Sequence, residues 1–184
     1  MGDTKPQIIV LTGQIASGKT TLAHYLENCG FERVVTYTTR QPREGEVDGK
    51  DYHFIGTDIF LSRLDYGFFA EATDYNADFG HVYYGTSKES LKTPGRKVMV
   101  LNPNGIMALK AGGYNIFVVY LNFDQETLMR RALARGDKPA EIGRRIADDA
   151  IKFGLLYSGN YVDLQITNPN LRPYEIAATI QDRL

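Results

Sequence analysis

The chain has 184 residues and a formal net charge of −1, from 21 Lys and Arg against 22 Asp and Glu, which excludes a global attraction to nucleic acid or to an anionic membrane. Cys29 is its only cysteine, so no intrachain disulfide or cysteine-based zinc site is possible, and a reducing, cytoplasmic setting is expected. The first residues are polar and no apolar run approaches the roughly 18 residues of a spanning helix, so neither a secretory leader nor a membrane anchor is expected.

In chain order, the apolar run 8–11 reads as a strand that leads into Gly13-Gln14-Ile15-Ala16-Ser17-Gly18-Lys19-Thr20. This stretch fits G-x-x-x-x-G-K-[ST], and a helical pattern over 20–28 follows it, as a phosphate-binding loop requires. Glycines let backbone N–H groups converge on phosphate oxygens, and the following helix points its positive end at them. Gly13, Ser17, Gly18, Lys19, Thr20 and Thr21 are the expected triphosphate contacts, with Lys19 supplying a mobile cation and Thr20 a hydroxyl for Mg²⁺. The loop implies a nucleoside triphosphate donor and leaves the acceptor open.

Further strands are predicted at 34–35, 98–101, 116–121 and 164–167, and helices at 106–110, 125–134 and 174–184. Strands that are nearly continuously apolar and alternate with helices predict an α/β fold with a parallel sheet covered on both sides, its site at the carboxyl ends of the strands. Residues 36–93 break the rhythm, being dense in Gly, Asp, Tyr, Thr and Arg, and read as an inserted lobe of short strands and turns. Residues 130–153 carry five arginines on or between two short predicted helices and read as a mobile lid. The expected organisation is a single domain, 1–184, with a core of 1–35, 94–124 and 155–184, an acceptor-binding lobe at 36–93 and a lid at 125–154.

Within the lobe, Thr36, Thr38 and Arg40 share one face of an extended segment by period two, and Pro42 can turn Arg43 back toward them. Two guanidinium forks and the Tyr52 hydroxyl can surround a dianionic phosphate. The run from Thr39 to Tyr52 keeps every named letter of T-R-x-P-R-x-G-E-x-D-G-x-D-Y, and in this it resembles the monophosphate-binding segment of guanylate kinases. The resemblance spans nearly the whole chain. It implies a P-loop kinase fold of three α/β/α layers, and ATP-dependent phosphorylation of GMP or dGMP with Mg²⁺.

The same resemblance implies that Arg40, Arg43, Tyr52 and Tyr84 hold the acceptor phosphate, while Glu71, Thr36 and Thr86 approach the guanine edge. A carboxylate such as Glu71 can accept from both N1–H and N2–H of guanine, whereas adenine would set an acceptor against it. Residues 73–82 read as a turn longer than the family's usual one. Asp74, Asp78 and His81 within it fit no standard ligand spacing and are expected to be solvated. Arg131, Arg135 and Arg145 match the family's lid arginines, and with Lys19 they form the expected catalytic set. A solvated helix face with a Glu141–Arg145 pair is the alternative for this segment. Asn168 matches the family's adenine contact.

One segment departs from the pattern. Where the family has an acidic D-I-D-x-Q-G run, this chain has Val100-Leu101-Asn102-Pro103-Asn104-Gly105, so Val100 and Asn102 replace two carboxylates, and Asn102 is the expected substrate contact there. Two other readings stand beside a guanylate kinase: a nucleoside monophosphate kinase with altered or broadened acceptor choice, and a non-catalytic module that binds a phosphorylated partner. Small nucleotides, not nucleic acid or membrane, are the expected ligands.

Overall fold

The computed structural model describes residues 7–77 and 80–184. The chain opens with β1 (Gln7–Gly13), α1 (Lys19–Asn28) and β2 (Glu32–Arg33). It continues through β3 (Tyr37–Thr38), β4 (His53–Phe54), α2 (Thr57–Asp65), β5 (Phe69–Ala77), β6 (Gly80–Ser87) and α3 (Lys88–Lys92). The remainder is β7 (Arg96–Val100), α4 (Pro103–Ala111), β8 (Ile116–Leu121), α5 (Gln125–Ala134), α6 (Pro139–Ser158), β9 (Leu164–Ile166) and α7 (Pro173–Gln181).

The apolar runs build a five-stranded sheet in the order β2-β7-β1-β8-β9, every pair of which is parallel. β1 shows why these runs do not alternate. Ile9 and Leu11 pack with Leu22 and Leu26 of α1 and Ile176 and Ile180 of α7. Ile8 and Val10 pack on the other side with Ile106 and Leu109 of α4 and Phe153 and Leu156 of α6. Both faces are covered, so both sets must be apolar. This is the three-layer arrangement expected from the sequence. Among the described residues, no helix is long and apolar enough to cross a membrane.

Three details differ from the sequence expectation. The edge strand lies at Glu32–Arg33 and not at 34–35: Glu32 pairs with Lys97 and Arg33 with Val98, and Val34 then packs into the core as a plug. The polar pair forms the strand because fully buried Lys97 ends 2.7 Å from the Glu32 carboxylate, which tethers the edge there. Second, the lobe has the short strands expected of it but also a helix and a longer hairpin. It holds α2 and a four-stranded sheet, β4-β3-β6-β5, in which the predicted turn 73–82 continues as a paired hairpin, Thr73 opposite Tyr84 and Tyr75 opposite Val82. Thr and Tyr suit a pleated, half-buried surface, and this extends the pairing. Third, the second lid helix, α6, is 20 residues long, because its C-terminal half buries Phe153 and Leu156 in the core.

The lobe has its own aromatic centre. Phe60 of α2 is fully buried and stacks on Phe69 with centroids 4.4 Å apart. Gly85 of β6 lets them sit there, since a Cβ at that position would lie 2.8 Å from the Phe69 ring. Phe60→Ala is expected to lower the unfolding free energy by about 3–5 kcal/mol in a denaturant titration. A change below about 1 kcal/mol would show that this ring stack does not organise the lobe.

Candidate active site

β1 ends at the carboxyl edge of the sheet in Gly13, where a Cβ would lie 2.6 Å from Ser17 Oγ and 2.7 Å from the Leu121 carbonyl oxygen. Only glycine allows that approach. Ala16 (φ 56°) and Gly18 (φ 95°) take left-handed conformations that curl the loop, and α1 begins at Gly18 without a side-chain cap. Its first N–H groups are thus left for an anion. Ser17 is buried, and Thr20 and Thr21 are exposed in the first turn.

Lys19 arches back over the loop, its Nζ donating to the carbonyls of Gly13 (2.7 Å) and Gln14 (2.8 Å) and to Ser17 Oγ (3.2 Å). Burial pulls its pKa down to about 8; Asp149 opposes this, while Arg135 and Arg145 add to it. Asp149, on α6, has no role in the sequence reading. Burial raises its carboxyl against the pull of Lys19 and Lys152, and the Ile15 N–H of the loop donates to it.

In the lobe, Thr38 is fully buried and Thr36 nearly so. The Thr38 hydroxyl donates to the Tyr83 carbonyl at 3.1 Å and accepts from the Arg40 N–H, fixing the start of the arginine segment on β6. The Arg40 guanidinium grips Glu46 with two 2.6 Å hydrogen bonds, and it lies 4.9 Å from the Tyr52 ring centroid and 5.5 Å from that of Phe54. Glu46 also accepts from the Arg43 N–H, and Arg40 holds its carboxyl below the usual range. Glu46 was visible as a letter of the motif, but a carboxylate among phosphate ligands gave no hint of its use. Tyr84 faces Tyr52 edge-on at 5.8 Å, and the Arg43 side chain is exposed.

Glu71, 4% exposed, is where the lobe meets the core. The Thr86 hydroxyl donates to it at 2.6 Å, and burial pushes its pKa up to about 7 against that bond. Gly105 of α4 presses on the same carboxylate, with a Cβ there placed 3.0 Å from Oε2. Asn102 caps α4, its Oδ1 accepting from the Gly105 N–H at 2.9 Å, while its amide donates to Thr73 Oγ1 at 3.0 Å. It therefore ties α4 to β5 next to Glu71.

The lid arginines have partners of their own. Arg131 donates to the Pro169 carbonyl at 2.6 Å and lies 4.9 Å from the Phe123 ring centroid. Asn168, beside it, accepts from the Asn170 N–H at 3.0 Å. Arg135 pairs with Asp137, whose carboxyl is held low by that bond and by the nearby charges of Arg145 and Arg43. Arg43 of the lobe and Arg145 of the lid thus both lie within electrostatic reach of Asp137. The Glu141 side chain lies outside the described residues, as does Asp78. Asp74 and His81 pair across the hairpin, both side chains about half exposed. Among the described residues no cluster of three or more His, Cys, Asp or Glu could hold a metal ion.

The guanylate kinase family model matches residues 5–171. The chain is 37% identical to guanylate kinase of Nitratidesulfovibrio vulgaris, in an alignment that covers 96% of this chain and 87% of that one. It is also 37% identical to guanylate kinase of Syntrophus aciditrophicus, covering 89% of this chain and 79% of that one. The crystal structure of guanylate kinase from Anaplasma phagocytophilum shares the fold with a TM-score of 0.71 at 23% identity, covering 99% of this chain and 86% of that one.

Lys19 yields a direct test of the loop. A bound triphosphate favours the ammonium form, so at pH 8 ATP binding should take up about half a proton, read by calorimetry in buffers of different ionisation enthalpy. No net uptake would show that Lys19 is not the group that meets the phosphates.

Proposed function

The chain belongs to the guanylate kinase family, and on that premise we propose that it transfers the γ-phosphoryl group of ATP to the phosphate of GMP or dGMP. The observation that carries the acceptor's identity is Glu71, a buried carboxylate bonded to Thr86 and pressed by Gly105 where the lobe meets the core. Ionised, it can accept from N1–H and N2–H of guanine, with Thr36 and Thr86 near the base edge. Adenine presents no such pair of donors.

An acceptor phosphate oxygen attacks the γ-phosphorus, the bond to the β–γ bridging oxygen breaks, and ADP leaves. The attacking oxygen is already anionic, so no general base is required, and positioning and charge stabilisation do the work. Arg40, Arg43, Tyr52 and Tyr84 hold the acceptor phosphate. Lys19 moves from its own loop carbonyls to the transferred group, and Arg131, Arg135 and Arg145 complete the site when the lid (125–154) closes on the lobe (36–93) and the core. Gly13, Ser17, Gly18, Thr20 and Thr21 hold the triphosphate, and Asn168 lies at the adenine.

An exposed Thr20 hydroxyl with no acidic cluster around it, among the described residues, fits Mg²⁺ that arrives on the triphosphate and keeps several of its waters. When bound, the ion neutralises charge on the phosphates. The fold, the lone Cys29 and a small-nucleotide substrate together support a cytoplasmic enzyme.

A broadened acceptor choice is the second reading, motivated by Asn102, which offers Thr73 an amide in place of the family's acidic group. A purely phosphate-binding module is disfavoured by the intact Gly18, Lys19 and Thr20. The test is an ADP-release assay with ATP, Mg²⁺ and each of GMP, dGMP, AMP, CMP and UMP. Turnover with GMP or dGMP should exceed the others by at least about a hundredfold, as expected when a site's buried polar groups go unpaired with the wrong base. Comparable turnover of AMP would support the second reading, and no turnover with any acceptor would favour the binding module.

A further inference from the structure

The register of β5 on β6 sets Glu71, Thr73 and Tyr75 on one face of the hairpin, opposite Thr86, Tyr84 and Val82. This is the face whose inner end carries the proposed guanine contact. Moving outward along it leads from Glu71 and Thr86 through Thr73 to Tyr75, which stacks on Tyr84 at 5.8 Å and 11°. Their hydroxyls lie 3.5 Å apart, so the two phenols end at the same place. Tyr84 in turn faces Tyr52, whose ring lies under the Arg40 guanidinium. The three phenols thus form a row that begins at Arg40 and ends at Tyr75.

Tyr75 also lies within electrostatic reach of the lid. Its hydroxyl feels the positive charges of Arg145 from α6 and of Arg43 from the arginine segment. Burial and the neighbouring Tyr84 hydroxyl nevertheless push it up to about 12. It therefore stays protonated, and a protonated phenol is a hydrogen-bond donor. A phenolic donor within reach of guanidinium charges is complementary to a phosphate oxygen.

We propose that Tyr75 is a third phenolic ligand of the acceptor phosphate, donating to an oxygen that Tyr52 and Tyr84 leave open on the lid side. The hairpin's extra length, which carries pairing as far as Ala77 and Gly80, is what brings this residue to the phosphate. The proposal rests on the GMP-acceptor reading above and extends it by one residue.

Tyr75→Phe keeps the ring stacked on Tyr84 and removes only the hydroxyl. Loss of one hydrogen bond to a charged group should raise the KM for GMP by about tenfold, leave the KM for ATP unchanged, and leave inhibition by guanosine, which has no phosphate, unchanged. A GMP KM within about twofold of the unsubstituted protein would overturn the proposal, as would a loss of affinity shared equally by GMP and guanosine. The unsubstituted protein separates the two layers of inference. If it fails to turn over GMP, the acceptor reading falls; if it succeeds and Tyr75→Phe matches it, only the Tyr75 assignment falls.

Discussion

The burial of one carboxylate, Glu71, at the joint between the two sheets is the constraint around which the acceptor side is arranged. Burying a carboxyl disfavours its charged form, and here this moves its pKa up to about 7. Every element around it keeps the group in place. Thr86, its cross-strand neighbour, supplies a hydroxyl, Gly105 gives α4 the room to approach, and Asn102 fixes that helix to β5 through Thr73. In the proposed reading the joint is held under electrostatic tension that guanine, with two adjacent donors, relieves.

The cations of the site share a resting arrangement. Lys19 donates to carbonyls of its own loop, Arg40 is clasped by Glu46, and Arg135 is paired with Asp137. Each keeps an oxygen partner inside the chain. In the proposed reading substrate phosphates replace or join these oxygens, so net affinity is a difference between two sets of charge-assisted bonds. The long α6 links core and loop, its C-terminal half anchored in the core by Phe153 and Leu156 while Asp149 and Arg145 act on Lys19.

Much of this was legible in the sequence because it rests on local chemistry. The phosphate loop follows from Gly13 and Gly18 at fixed spacing, the core strands from apolar runs that must be covered on both faces, and the arginine segment from a long motif. The rest depends on contacts between distant segments. The edge strand sits at Glu32–Arg33 because Lys97, many residues later, reaches Glu32. The hairpin pairing of 73–82 depends on β6, and the length of α6 on a core surface that its own sequence does not reveal. The same reason hid Asp149 and Tyr75, whose neighbours become visible only once the lobe, lid and loop are folded together; Glu46 and Asp137 lie close in sequence to Arg40 and Arg135, but carboxylates among phosphate-binding arginines gave no sign of that role.

The role of Glu71 at the base is tested most directly by guanosine affinity as a function of pH. Guanosine removes the phosphate, which titrates near pH 6 and would mask the carboxyl. If ionised Glu71 accepts from the base, affinity should rise by about tenfold from pH 6 to pH 8, and Glu71→Gln should abolish the rise. A profile that is flat, or one that survives the substitution, would contradict the assignment of Glu71 to the base and with it the account of the acceptor site.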